Sequence, residues 1–151
     1  MNLSVKITGL DKLLEAFKKA PGMVTAEVKV AIQRALIVLQ GSARTFVPKD
    51  TSNLGSQIKT EMTGALSGQV VADTEYALFV HEGTKPHWPP IAAITPWANR
   101  HGIPPFLVAR SIATKGTKPH PFFQWAKEAT ENDVSGIFDS AIKNIVNKLA
   151  S

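Results

Sequence analysis

The sequence predicts an α+β fold: a small antiparallel β-sheet packed on one long helix, with an inserted helical region and a C-terminal helix. Three observations lead to this prediction. Apolar residues recur at helical spacing over residues 24–46, two β-prone segments lie between residues 57 and 72, and helical spacing returns from Phe122 onward. With 151 residues and 44% hydrophobic content, the chain fits a single domain over residues 1–151, with the helical and loop insertion at about 83–120.

The first elements are a short strand and a helix. Residues 4–8 alternate polar and apolar side chains and end at Gly9, a pattern typical of a strand. Asp11 then introduces an amphipathic helix that includes Phe17 and ends at Pro21.

The long helix over residues 24–46 is apolar on more than one side. Leu36, Ile37 and Val38 widen its apolar stripe beyond one core-facing side. A helix with this pattern is buried on more than one side, so we expect these three residues to contact a neighbouring subunit. Pro48 ends the helix, and a turn-rich connection follows.

The sheet is predicted from two adjacent segments. Residues 57–62 alternate, residues 68–72 are β-prone, and the stretch from Gly64 to Gly68 between them fits an antiparallel hairpin. Residues 76–81 fit a short helix or a strand, because six residues contain too little periodicity to distinguish the two.

Three helices are predicted in the second half. Pro90 begins a helix that ends near Arg100, where Gly102 and Pro104 form a helix stop. Residues 106–113 form another short helix, and the last helix begins near Phe122. The stripe of the last helix supplies alternative residues for the subunit contact: Ile142, Ile145 and Leu149.

One phrase occurs twice in the chain. Glu82-Gly83-Thr84-Lys85-Pro86-His87 is echoed by Lys115-Gly116-Thr117-Lys118-Pro119-His120. Glycine followed closely by proline is typical of loops. Because helical segments lie between the two copies, we expect the copies to be adjacent stems of one excursion from the fold. The residues assigned to the stems are Gly83, Pro86, His87, Gly116, Pro119 and His120.

The net charge of +5 comes from the middle of the chain. Six of the 17 basic residues and none of the 12 acidic residues lie between Glu82 and Glu128. This asymmetry indicates a partner with negative potential, either nucleic acid or an acidic protein, although a solvated basic loop has the same pattern. The candidate channel or partner contacts are Lys85, Arg100, Arg110, Lys115 and Lys118.

Catalytic chemistry is weakly represented. The sequence has no cysteine, which excludes disulfides and thiolate chemistry. His81, Glu82, His87 and His120 include zinc-ligand types, but their spacing is not that of a helical metal motif, and such histidines more often bond to backbone carbonyls. No serine lies in a nucleophile-elbow pattern. We therefore predict no catalytic, cofactor-binding or metal-binding residues and no enzyme activity.

Aromatic residues alternate with the basic ones in this segment. Trp88, Trp97 and Phe106 precede the second stem, and Phe122, Phe123 and Trp125 follow it. They can stack on single-stranded bases, anchor a protein interface, or fill a satellite core under the insertion. The sequence contains no run of 18 or more apolar residues, so no membrane span is predicted. Residues 1–5 do not resemble a signal peptide. We expect assembly in a bacterial cytoplasm and no membrane partner.

Several motifs together resemble a known family. They are Tyr76-Ala77-x-x-Val80-x-Glu82-Gly83-Thr84, the later Lys118-Pro119-His120-Pro121-Phe122-Phe123-x-x-Ala126, and the opening Gly9-Leu10-Asp11-x-Leu13 through Phe17. Pro48, Thr51 and Leu54 match a further element of this family, Pro-x-x-Thr-Gly-x-Leu. Ser52-Asn53 stands in this chain where that element has a glycine and one further residue. The chain resembles the tail-completion or head–tail joining proteins of long-tailed bacteriophages over nearly its whole length.

The resemblance implies a structural role. Such proteins form a ring, commonly sixfold, between the connector on the portal side and the tail tube, and double-stranded DNA passes through it. It implies a virion location, a homo-oligomer, and contacts with other neck proteins, the tail terminator or the tail tube. Two other function classes stay open: a nucleic-acid-binding regulator and a small His/Glu metal-dependent hydrolase.

Overall fold

The computed structural model describes residues 18–50 and 53–151, together with the backbone of residues 2–4. Residues 11–17 of the predicted helix that begins at Asp11 lie outside the described residues, as do residues 5–8 of the first predicted strand, whereas Lys18 and Lys19 are helical. The described elements are β1 (Asn2–Ser4), α1 (Pro21–Phe46), α2 (Asn53–Ser56), β2 (Ile58–Gly64), β3 (Ser67–Ala72), α3 (Ala77–Glu82), α4 (Ile91–Arg100), α5 (Pro105–Lys115) and α6 (Phe122–Ala150). This composition confirms the α+β class.

Helices α1 and α6 are the two longest described elements, and they pack against each other. Pro21 occupies the first turn of α1, where its missing N–H costs no helical hydrogen bond. The Phe46 ring meets the edge of Trp125, with centroids 6.0 Å apart, at one end of the pair. At the other end Lys148 forms an ion pair with Glu27. Since the end of α1 meets the start of α6, the two helices are antiparallel, and both predictions of long helices are confirmed.

The sheet has three antiparallel strands in the order β1-β3-β2. Ile58 pairs with Ala72, and both side chains are buried together with Val70. These residues share one side of the sheet, which packs on α1. The predicted hairpin is therefore confirmed.

The contact between α1 and the sheet is close at Gly68. A methyl group placed on Gly68 would lie 2.5 Å from Cδ1 of Leu36. Leu36 is only 1% exposed, and Ile145 of α6 is also 1% exposed. Both belong to the core of the chain, so their predicted role in a subunit contact is wrong. The apolar spacing identified two buried faces of these helices, but the chain's own sheet and helices cover them.

The other predicted interface residues have different positions. Ile37 is 61% exposed, Ile142 and Leu149 are also exposed, and Val38 is half-buried. These exposed side chains stay available for a partner, although nothing in the isolated chain tests that role.

Two polar side chains of α1 hold the connection to the sheet. Gln40 Nε2 donates to the Ile58 carbonyl at 2.9 Å, and Arg44 Nη2 donates to the same oxygen at 2.8 Å. Arg44 Nε also donates to the Gly55 carbonyl at 3.1 Å. The short helix α2 and the start of β2 are thus fixed to the end of α1.

The insertion contains two helices that pack on each other, α4 and α5. Helix α4 ends at Arg100, and Gly102 two residues beyond it has a φ of 67°, which suits glycine at a helix stop, as predicted. The segment at 76–81, which the sequence left open, is mostly helix α3. In the described residues, no helix combines the length and apolar character needed to cross a membrane.

Candidate assembly surface

The two copies of the repeated phrase hydrogen-bond to each other. The Thr84 amide donates to the Thr117 carbonyl at 3.2 Å, and the Thr117 amide donates to the Thr84 carbonyl at 3.1 Å. Their hydroxyl groups are also hydrogen-bonded, with the oxygens 3.0 Å apart. We call this pair the stem bridge. It confirms the prediction that the two loops are adjacent stems of one excursion.

The glycines explain why the phrase is repeated. Gly83 has a φ of 71° and Gly116 a φ of 70°, values that other residues rarely adopt. A methyl group on Gly83 would lie 2.4 Å from the Thr117 carbonyl oxygen, and one on Gly116 would lie 2.0 Å from the Thr84 carbonyl oxygen. Each stem therefore needs a glycine for its own conformation and for the approach of the other stem.

The two stems diverge at their histidines. His87 Nδ1 donates to the Lys85 carbonyl within its own loop, at 2.9 Å. His120 Nε2 instead donates to the Phe46 carbonyl at the end of α1, and its ring meets Trp125 edge-on with centroids 4.6 Å apart. The His120 amide also donates to the Val80 carbonyl at 3.0 Å. The second stem is thus fixed to α1 and α3.

His81 lies in the core beside α6. Its ring meets Phe122 edge-on, with centroids 5.2 Å apart, and neither buried ring nitrogen has a hydrogen-bond partner among the described residues. Burial lowers the pKa of His81 below its ordinary 6.5, and the nearby Glu82 carboxylate opposes that shift. This shift favours the neutral form of the imidazole.

The possible zinc-ligand set does not assemble. His120 faces α1, His81 faces the core, and His87 bonds within its own loop. Across residues 18–50 and 53–151, no three histidine, aspartate or glutamate side chains are grouped so that they could hold a metal ion. The geometry gives no support to the hydrolase alternative.

An apolar groove of about 930 Å³ lies between α3, the stems and the α4–α5 pair. Its lining includes Lys85, His87 and Lys118 and no carboxylate group among the described residues. The main apolar residues of the lining are Tyr76, Phe79, Val80, Ile94, Trp97, Val108 and Ile112. The sequence prediction did not include Tyr76 and Phe79 in a site. Tyr76, Phe79 and Val80 have the i, i+3, i+4 spacing of one helix face, and this pattern just before the first stem could have indicated them.

Large apolar side chains are exposed around this groove and on the α4–α5 pair. Phe79 is 57% exposed. Trp88 and Phe106 are also exposed, although their rings are neighbours, with centroids 5.8 Å apart. Phe122 and Phe123 are buried in the main core together with residues of α1 and the sheet, so they do not form a separate satellite core under the insertion. Contiguous exposed apolar surface of this kind is typical of interaction sites.

The cationic residues divide into two groups. Lys85, Arg110, Lys115 and Lys118 are exposed and form no ion pair with any residue that the structure describes. Lys85 and Lys118 each follow a residue of the stem bridge, so the fold brings their backbones together.

Arg100 differs from the other cations. It forms an ion pair with Asp50, and its Nε donates to Oδ1 of the same carboxylate at 3.3 Å. The hydrogen bond from Arg100 lowers the pKa of Asp50, and the guanidinium charge adds to this effect. The prediction that Arg100 offers its charge to a channel or partner is therefore corrected, because Asp50 already neutralises it.

The fold thus places an apolar groove, exposed aromatic rings and unpaired cations on one inserted segment. Protein interfaces are enriched in aromatic residues and need such apolar centres. Comparison with family models, with curated proteins and with solved structures gave no match to this chain.

Proposed function

We propose that the protein is a structural component of a tailed bacteriophage. It forms a ring, sixfold in symmetry, at the junction of head and tail, and double-stranded DNA passes through the ring. The observation that carries this proposal is the inserted α4–α5 segment, which exposes large apolar side chains and unpaired cations beside a rigid bridge. An isolated chain gains nothing from such a surface, whereas an assembling one covers it.

The residues that carry the family resemblance support the proposal because they form one structural unit. Thr84 belongs to the stem bridge, Gly83 precedes it, and the Val80 carbonyl accepts a hydrogen bond from the His120 amide. Phe122 of the second motif packs against His81, which occupies an unspecified position within the first. Two motifs that are distant in sequence thus build the base of the excursion together.

The cations fit a ring through which DNA moves. Lys85, Lys115 and Lys118 lie on or next to the stems, are exposed, and have no carboxylate partner in the described residues. Tight phosphate contacts would slow DNA ejection, whereas exposed lysines in physiological salt attract phosphate weakly and without sequence preference. The ring contacts other neck proteins, the tail terminator or the tail tube through its remaining surface.

The direct test is to remove the gene from the phage that encodes the chain and to examine the lysate by electron microscopy. We expect DNA-filled heads and finished tails that are not joined, and recovery of joined particles when the wild-type gene is supplied on a plasmid. Normal yields of infectious particles without the gene would refute the proposal. Tight, salt-sensitive binding of random duplex DNA by the isolated subunit would instead favour the regulator alternative.

A triple substitution separates the two roles of the cations. Lys85, Lys115 and Lys118 are changed together to alanine, and joined particles and infectious particles are counted separately. Loss of joining indicates a protein partner, whereas joined particles with poor DNA delivery indicate the channel. If neither count changes, these cations are only solvated. The matched control changes Lys29, Arg34 and Lys49, which are exposed elsewhere, to alanine.

A further inference from the structure

One side of α6 carries acidic residues up to Asp139 and apolar residues from Ile142 onward. With 3.6 residues per turn, eight residues of this helix fall within about 80° of its circumference. Two are the polar Gln124 and Ser135, and the other six are Glu128, Glu131, Asp139, Ile142, Val146 and Leu149. All six are exposed, and Val146 is 56% exposed. We call this stripe the α6 face.

The carboxylates of the α6 face have no cationic partner in the part of the chain that the structure describes. Glu128 accepts one hydrogen bond, from Gln124 of the same helix, at 3.1 Å. The face therefore combines charge that is not neutralised with apolar area that is not covered. Such a face is complementary to a surface that combines exposed apolar area with positive charge.

The groove beside the stem bridge has the complementary composition. Phe79 and Trp97 offer exposed apolar area, and Lys85 and Lys118 supply positive charge without any carboxylate in the described lining. The Ile142 and Val146 side chains are of a size to enter it. DNA can pair with the two lysines, but it offers no apolar surface to cover the rings of the groove.

A chain cannot place its own α6 face in its own groove. Helix α6 begins at Phe122, immediately after the second stem, and rises by about 1.5 Å per residue. Ile142 therefore lies about 30 Å along the helix from the stem. Only a second copy can bring the apolar half of the face to the groove.

We propose that the α6 face of one copy packs into the groove of the next copy. Ile142 and Val146 cover Phe79 and Trp97 of the neighbour, and the carboxylates of the face lie beside its two lysines. The contact is heterologous, so repetition around an axis closes a ring. This inference rests on the proposed function, because it assumes that copies of the chain form that ring.

The test uses charge reversal on each surface of the full chain. One variant carries Glu131→Lys and Asp139→Lys, and the other carries Lys85→Glu and Lys118→Glu. All four positions are exposed, so both variants are expected to keep the wild-type circular dichroism spectrum. Sedimentation velocity over a concentration series is expected to show that each variant needs at least roughly tenfold more protein than the wild type to assemble.

Two further samples make the test specific. The four substitutions in one chain restore opposite charges across the contact, so assembly is expected to return toward the wild-type level. An equimolar mixture of the two variants also restores opposite charges, because the intact α6 face of one meets the intact groove of the other and the reversed α6 face meets the reversed groove. Copies of the two variants can therefore alternate around a sixfold ring, and the mixture is expected to assemble beyond the dimer. The matched control carries Lys29→Glu and Lys49→Glu and is expected to assemble like the wild type.

Four results would overturn the inference. These are wild-type protein that stays monomeric at every concentration reached, reversed variants that assemble like the wild type, a four-substitution chain that does not recover, and a mixture that does not assemble beyond the dimer. The proposed function is tested separately by the gene-removal experiment. If heads and tails stay unjoined without the gene while charge reversal has no effect on assembly, the contact is wrong and the function stands. If joining is normal without the gene, the function is wrong.

Discussion

Replacing Gly116 by alanine adds one methyl group at the tightest point of the stem bridge. The new Cβ would lie 2.0 Å from the Thr84 carbonyl oxygen, far inside a carbon–oxygen contact, so the two stems must separate. The backbone of Gly116, with φ 70° and ψ −160°, also lies in a region that is almost restricted to glycine. The substitution therefore combines backbone strain with loss of the bridge.

The magnitude follows from these two effects. An unfavourable backbone conformation of this kind costs about 1–3 kcal/mol. The two hydrogen bonds of the bridge, each worth about 0.5–1.5 kcal/mol, are lost as well. We expect Gly116→Ala to lower the free energy of unfolding by about 2–6 kcal/mol, a large part of the roughly 5–15 kcal/mol of a typical domain.

The assay is urea unfolding followed by circular dichroism, with two glycines as matched controls. Gly102 also has a positive φ, but no atom lies within 4 Å of its added methyl group, so Gly102→Ala is expected to cost only about 1–2 kcal/mol. Gly136 lies inside α6 with open space around it, and Gly136→Ala is expected to stabilise the chain by about 0.5–1 kcal/mol. Equal destabilisation by Gly116→Ala and Gly102→Ala would refute the reasoning, because the close approach would then contribute nothing.

Three further predictions concern single side chains. Burial lowers the pKa of His81, so below about pH 6.5 the unfolded chain takes up a proton that the folded chain does not. The free energy of unfolding is therefore expected to decrease as the pH is lowered below about 6.5. His81→Phe is expected to abolish this pH dependence of the urea midpoint. Arg100→Gln is expected to return the pKa of Asp50 toward 3.8 in an NMR titration, and to remove stability that is present above pH 3.8 and lost as the pH falls through the lowered value. Leu36→Ala is expected to lower the free energy of unfolding by about 2–5 kcal/mol, whereas Ile37→Glu is expected to change it by no more than about 0.5 kcal/mol; similar costs for both would contradict their observed burial.

The long helices were predictable because their periodicity extends over many turns. Helical spacing identified α1 and α6, and alternation with flanking glycines identified the hairpin. Leu36 and Ile37 show the limit of this reasoning. They are neighbours and equally apolar, and only the position of the sheet, whose Gly68 lies against Leu36, makes one of them core and leaves the other exposed.

The candidate site was predictable in part for a similar reason. The repeated glycines and prolines are a local signal, and they predicted the proximity of the stems correctly. The pairing of Arg100 with Asp50 joins residues 50 positions apart, and no local pattern indicates it. Phe79 belongs to a six-residue helix, too short for periodicity to assign, and its place in the groove depends on where α4 and α5 return.

The stem bridge has a consequence for how the chain can change over time. Since Thr84 and Thr117 hydrogen-bond to each other, the segment between them leaves and re-enters the fold at one place. Each doubling of the length of a closed loop adds only about 0.6 kcal/mol to the entropic cost of closing it. The rest of the chain therefore need not move when the segment is lengthened, shortened or exchanged. The packing of α1, α6 and the sheet can therefore be kept while this segment is replaced by another.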